Sequence, residues 1–144
     1  MGYQVVDDLK IEQIKEINMA HKYIKEIVDL EKTPYGWSEN TGRDSKWREE
    51  RRIYGFDERE TWSLDTTFFY WLYERLMMYK EIDFIDMDAP QFSVNGVTMT
   101  QRECIDKMIS NCKEIILYEG IDLQKELKYE VLDIWKECLF SMWW

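Results

Sequence analysis

Between Tyr35 and Tyr54 the chain interleaves five cations, Arg43, Lys46, Arg48, Arg51 and Arg52, with four aromatics, Tyr35, Trp37, Trp47 and Tyr54. Cationic side chains grip phosphate and flat rings stack on bases. The composition therefore suits a nucleotide or a single strand. The competing reading is structural: the cations pair with acids of their own domain and the tryptophans close the core. It is favoured, because Asp44, Glu49 and Glu50 leave an excess of only two positive charges.

A second candidate lies just downstream. Trp62, Asp65, Phe69, Leu72, Leu76 and Tyr79 step by threes and fours, with Phe68, Trp71 and Arg75 on the flank. This spacing predicts a helix over 57–82 that turns a carboxylate toward its buried side. An uncompensated buried ion costs several kcal/mol, so Asp65 is expected to have a partner. Three kinds are open: an arginine of the preceding segment (Arg51 or Arg52), His21, or a backbone amide or indole N–H. On the structural reading Asp65 staples neighbouring elements by charge-assisted hydrogen bonds. On the functional reading it lines a polar pocket with Arg75 and the arginines of the 33–54 segment, and binds a ligand.

Other chemistry is thin. A single histidine, His21, excludes His-rich metal sites and paired Glu-x-x-His motifs. Glu58, Asp65, Glu103 and Asp106 could in principle hold magnesium, but charged helix faces are usually solvated. Three cysteines, Cys104, Cys112 and Cys138, with no Cys-x-x-Cys, read as small buried hydrophobes in a reducing compartment. No glycine-rich phosphate loop and no Gly-x-Ser-x-Gly elbow is present. No catalytic residue, metal or cofactor is assigned from the sequence.

These residues need elements to position them. Ile11, Ile14, Ile17, Ile24 and Val28, with His21 in the same stripe, predict a helix over 8–31 that ends at Thr33-Pro34. Residues 33–54 show no persistent period and read as a long loop with, at most, a helical turn near 46–52. Asp57 is an expected N-cap. Asn95-Gly96 between short β-favouring runs predicts a hairpin near 92–99. Thr100-Gln-Arg-Glu103 is a capping box opening a helix. Its stripe is Cys104, Ile105, Met108, Ile109, Cys112, Ile115 and Ile116, and Gly120 stops it. Asp122 caps a last helix whose inward face carries Leu123, Leu127, Val131, Ile134, Trp135, Cys138, Leu139 and Met142. The sum is all-α: one four-helix bundle-like domain over 1–144, with a long loop after the first helix and a small hairpin.

The length of 144 residues and 45% hydrophobic content allow a sizeable core. No apolar run approaches the ~18 residues of a membrane span, and the start, MGYQVVDDLKIEQ, lacks the pattern of a signal peptide. A formal charge of −10 opposes binding to duplex DNA and anionic membranes and favours basic partners. Aromatics at 15% exceed what a core needs and suggest self-association. Trp143 and Trp144 are expected to tuck in or make a partner contact.

Gly55-Phe56, Glu60, Trp62, Leu64 and Asp65 form an aromatic-acid-Trp-x-Leu-Asp motif. It resembles a motif of small uncharacterised proteins encoded by many tailed bacteriophages and prophages. Ile105-Asp106-Lys107-Met108-Ile109 is similar to their Leu-Asp-x-Met-Ile helix. The stretch from Leu132-Asp133 to Leu139-Phe140 and Met142-Trp143 is similar to their closing run. The match covers roughly 53–144. Gln101 and Cys138 depart from it, standing where aromatics are usual. The resemblance implies a phage-borne accessory protein of the bacterial host cytoplasm and brings no established catalytic residues.

Three functions are therefore expected, in descending order. The first is counter-defence: a host nuclease or other immunity factor is bound and occluded by an acidic surface. The second is sequestration of a nucleotide signal by the cationic aromatic segment. The third is a carboxylate-metal enzyme.

Overall fold

A computed structural model describes residues 21–37, 42–118 and 123–142. The chain falls into two compact units divided between Phe68 and Phe69. It is mostly helical, with one small antiparallel hairpin.

In the first unit the helix expected over 8–31 lies partly outside the described residues. Its described part is two short 3-10 turns, Ile24–Glu26 and Leu30–Lys32. The Asp29 carboxylate accepts the Glu31 N–H at 3.1 Å, and the Thr33 hydroxyl donates to the Leu30 carbonyl at 2.8 Å. Such local side-chain bonds compete with a continuous helical ladder. Tyr23, Ile24, Leu30 and Tyr35 are buried, and the His21 ring stacks on Tyr35 at 3.8 Å. Gly36 lies against the Leu30 carbonyl with no room for a Cβ.

The expected long loop is corrected by helix α1, Asp44–Tyr54. Its inward face offers one buried apolar residue, Trp47, so no hydrophobic period betrays it. Lys, Arg and Glu are strong helix formers and carry the segment instead. Arg51 and Arg52 sit in the last turn, where the helix dipole favours cations. Gly55 at φ +83° closes the helix with its N–H on the Arg51 carbonyl at 2.9 Å.

The helix expected over 57–82 is interrupted. Asp57 does act as an N-cap, in a capping box with Glu60, but for a 3-10 turn at Glu58–Thr61. Helix α2, Leu64–Lys80, starts afresh beyond Ser63. Its residues from Phe69 onward belong to the second unit, and Phe69, Tyr70, Leu72, Tyr73 and Leu76 are buried there.

In the second unit strands β1, Gln91–Val94, and β2, Val97–Thr100, pair antiparallel, with Phe92 opposite Met99 and Val94 opposite Val97. Asn95 and Gly96 both have positive φ, +49° and +81°, as a type I′ turn requires. Thr100 ends β2 and caps helix α3, Gln101–Leu117, through the expected box: Oγ1 accepts the Glu103 N–H at 3.1 Å, and Glu103 accepts the Thr100 N–H at 3.2 Å. Helix α4, Leu123–Cys138, packs on α3 and is followed by a 3-10 turn, Leu139–Ser141. Cys104, Ile105, Met108, Cys112, Ile115 and Ile116 of α3 are buried, as are Val131, Ile134 and Cys138 of α4. Leu139, expected inward, is exposed, because the chain has left the α-helical period there. The hairpin packs against α3 and α4, and the Asn95 amide donates to Asp133 at 3.0 Å. Gly120 and Asp122, the expected stop and cap, lie outside the described residues.

Candidate functional site

The cationic aromatic segment becomes one face of α1 and the 3-10 turn that follows it. Glu58 is its hub. The Glu58 carboxylate takes Lys46 Nζ at 2.8 Å, the Trp47 indole N–H at 2.8 Å and Arg43 Nη1 at 3.4 Å. The hydrogen bonds from Lys46 and Trp47 hold its carboxyl down to about 2. Lys46 is raised in return by its bond to Glu58.

Beneath this hub lies a buried ion pair. Asp57 and Arg59 are 1% and 3% exposed. The Arg59 guanidinium forks onto both Asp57 oxygens at 3.0 and 2.7 Å and gives its remaining arm to the Trp37 carbonyl at 2.6 Å. A planar fork matched to a carboxylate is the geometry in which burial of two charges is tolerated. Arg51 adds its Nε at 3.6 Å from Asp57. The Arg59 guanidinium also lies over the Trp47 ring at 4.6 Å. Trp62 meets Trp47 edge-on at 5.6 Å and stacks with Trp37 at 6.1 Å. Glu60 accepts the Asp57 N–H at 3.2 Å, and burial pushes its carboxyl up.

The expected staple therefore exists at a different residue. Asp65 is exposed, in the first turn of α2, where it accepts the Ser63 hydroxyl at 2.8 Å. Its expected place in a dry seam is corrected: α2 starts at Leu64, so Asp65 belongs to a helix N-terminus, where the dipole favours an acid without burial. The buried acid is Asp57. Arg59 was missed because it lies outside the 33–54 segment; the signal available was its i+2 relation to an acid already expected to cap.

Other expected site residues are distributed as follows. Arg52 forks onto Glu49 at 2.6 and 2.9 Å on the surface of α1, lowering Glu49 and raising itself. Arg48 is half-buried on the same helix. Arg75 lies over the Trp71 ring at 4.5 Å and donates to the Trp71 carbonyl at 3.2 Å. Trp143 and Trp144 lie outside the described residues. Beside the engaged charges of α1, Ile53, Tyr54, Phe56 and Leu64 are all at least half exposed, with the Tyr54 and Phe56 rings 6.4 Å apart.

Among the described residues no three acidic, histidine or cysteine side chains gather into a metal-binding group. Of the magnesium candidates, Glu58 binds cations, Glu103 caps α3, and Asp106 takes Lys80 at 2.6 Å. The cysteines are buried and free, and burial pushes the Cys112 and Cys138 thiols up to about 12, away from nucleophilic use. No described helix is long and apolar enough to cross a membrane. No family model, curated protein or solved structure matches the chain.

Proposed function

We propose that this chain is a non-enzymatic binding protein that blocks a partner by covering a basic, nucleic-acid-binding face with its own acidic surface. The observation that carries this reading is where the cations go. Lys46 and Arg43 hold Glu58, Arg52 holds Glu49, and Arg59 holds Asp57. Three of the five cations in the segment best suited by composition to phosphate are thus held by acids of the chain, and Arg51 lies 3.6 Å from Asp57, which favours protein binding over nucleotide sequestration. The second unit, meanwhile, carries fourteen acids against eight lysines and arginines. Fields of one sign steer a protein toward the opposite sign and deter anionic ligands.

The resemblance of the motif at 55–65 gives the proposal its setting. The chain would be a phage-encoded accessory protein in the bacterial host cytoplasm, and its target a nuclease or other immunity factor. Capture from infected-host lysate on the immobilised chain at low salt, with native mass measurement, tests it. The expected result is a basic, nucleic-acid-binding host protein released as ionic strength rises. Capture that survives high salt overturns the charge mechanism. A thermal shift with cyclic or linear nucleotides, lost in Arg51→Ala or Arg52→Ala, would support the ligand reading instead.

A further inference from the structure

Helix α4 buries Val131, Ile134 and Cys138, and its opposite side carries a second apolar row. Lys125, Tyr129, Leu132, Lys136 and Leu139 step by four, three, four and three, the spacing of a coiled-coil seam. Tyr129 and Leu132 are 56% and 41% exposed, Leu139 is exposed at the end of the row, and Phe140 beside it is 88% exposed. These four leave roughly 450 Å² of mostly apolar surface in water, the size at which such a patch marks an interaction site. The charges around the row are answered within the unit. Lys125 lies over the Tyr129 ring at 5.8 Å, Lys136 is 4.0 Å from Asp133, Asp133 accepts the Asn95 amide, and Glu130 takes Lys107 at 3.4 Å. From Lys125 to Glu137 the helix carries three cations and four acids. It thus contributes only one to the surplus of acids in the second unit.

We propose that this row is the interface of a parallel, two-fold homodimer, in which Tyr129, Leu132 and Leu139 of one copy meet the same residues of the other. Charge and area select a second copy. Elsewhere the acids of the unit push a like molecule away, whereas this row is close to neutral. A basic protein gains nothing by choosing it, and nucleic acid meets no excess of cations there. The flanks set the orientation. Glu126 and Asp133 lie along one side of the row; Lys128 and Trp135 lie along the other, which has no acid. A parallel pair sets the acid side of each helix against the acid-free side of its partner, and an antiparallel pair sets acids against acids. With the lysine stems included, two copies bury about 1,000 Å² together, at the small end of specific interfaces, which corresponds to a dimer that comes apart on dilution. The pairing is independent of which partner the chain blocks, and goes beyond that reading by adding a symmetric assembly.

Sedimentation equilibrium of the whole chain over a wide concentration range tests it. The expected result is a monomer–dimer equilibrium that strengthens as salt rises, since salt screens repulsion between copies of charge −10 and spares an apolar contact. Leu132→Glu should weaken the dimer about a hundredfold or more, because a two-fold contact feels each substitution twice. Phe140→Ser should weaken it about tenfold. Both positions are exposed, so the circular dichroism of both variants should match wild type. Leu132→Cys should cross-link to its own copy under a mild oxidant, the native cysteines being buried. A wild type that stays monomeric at its highest soluble concentration overturns the proposal and leaves the row to another occupant. A dimer that both Leu132→Glu and Phe140→Ser leave intact overturns this row as the interface. A dimer that salt dissociates overturns the apolar contact, and cross-linking of Leu132→Cys only with Tyr129→Cys overturns the parallel pairing. None of these outcomes bears on capture of a basic partner, which salt should weaken.

Discussion

The two units solve the problem of holding a fold in different ways. From Arg43 to Glu60 the first unit carries six cations and six acids, and its central contact is a buried charge pair wrapped by three tryptophans. The second unit packs α3 on α4 through apolar side chains and cysteines, and keeps its ion pairs, such as Lys80–Asp106 and Arg102–Asp88, on the surface. Directional bonds place groups accurately but contribute little net energy, because both partners give up water. Apolar area contributes energy without direction. The first unit is accordingly the one that a single lost charge should unsettle, and the second the one that a lost methylene should. The contrast also separates two stretches of surface: from Arg43 to Glu60 the charges balance, whereas the second unit carries fourteen acids against eight lysines and arginines.

The largest expected effect tests the apolar half. Ile105 is fully buried, and Ile105→Ala should cost about 3 kcal/mol from lost transfer energy and the cavity left behind, measured by urea denaturation. Arg59→Met should cost about as much, since it removes both guanidinium bonds to buried Asp57 and leaves it the backbone N–H of residue 59, at 2.9 Å, and Arg51 Nε at 3.6 Å. Hydrogen exchange distinguishes the two: Ile105→Ala should first release amides of 103–117, and Arg59→Met those of 45–61. If Arg59→Met leaves exchange and stability unchanged, the pair is not what holds the first unit, and the comparison fails. Thr100→Ala should cost about 1 kcal/mol by removing the acceptor for the Glu103 N–H, with the loss again at the start of α3.

The same contrast explains how far the sequence could be read. From Asn95 to Ile116, in the second unit, pattern and structure coincide. Asn95-Gly96 demands φ > 0 twice, Thr100 and Glu103 satisfy each other locally, and Cys104 to Ile116 repeats at the helical period. Each of these signals is local, so each could be read. In the first unit the deciding contacts are not periodic. Trp47 is the one buried residue of α1, so the apolar pattern there predicts no more than a helical turn in a long loop. Arg59 reaches the carbonyl of Trp37, twenty-two residues back, and no spacing rule announces that. A buried acid is held by an arginine, but that acid is Asp57: the threes and fours from Trp62 to Tyr79 carry no mark of the break that sets Asp65 outside. The interruption at Ser63 moved Asp65 to a solvated helix start and left Asp57 as the acid inside. Of the expected binding residues, Arg43, Lys46 and Trp47 do converge, on an acid of their own chain.

The smallest expected effect is also the most selective, because two carboxylates two residues apart should titrate with opposite sign. Glu58 has its carboxyl held at about 2 against an ordinary 4.5. Its stabilising share is present above the unfolded value and is lost as pH falls from about 4.5 toward about 2. Glu60 is pushed up, first by burial and then by the charge of Asp57, against the bond from the Asp57 N–H. When pH rises past 4.5 the unfolded chain ionises Glu60 before the folded one does, so its share of stability falls until the raised value is passed. Glu58→Gln should therefore be less stable than wild type at neutral pH, with the deficit closing toward pH 2. Glu60→Gln retains an acceptor for the Asp57 N–H; it should be slightly more stable at neutral pH, with the gain vanishing below about 4.5. Melting temperatures of both variants followed from pH 7 to pH 2 should diverge from wild type in opposite directions and converge in acid. Parallel curves would show that the first unit's charges act as one averaged field, and the claim that its carboxylates are individually placed by directional bonds would be lost.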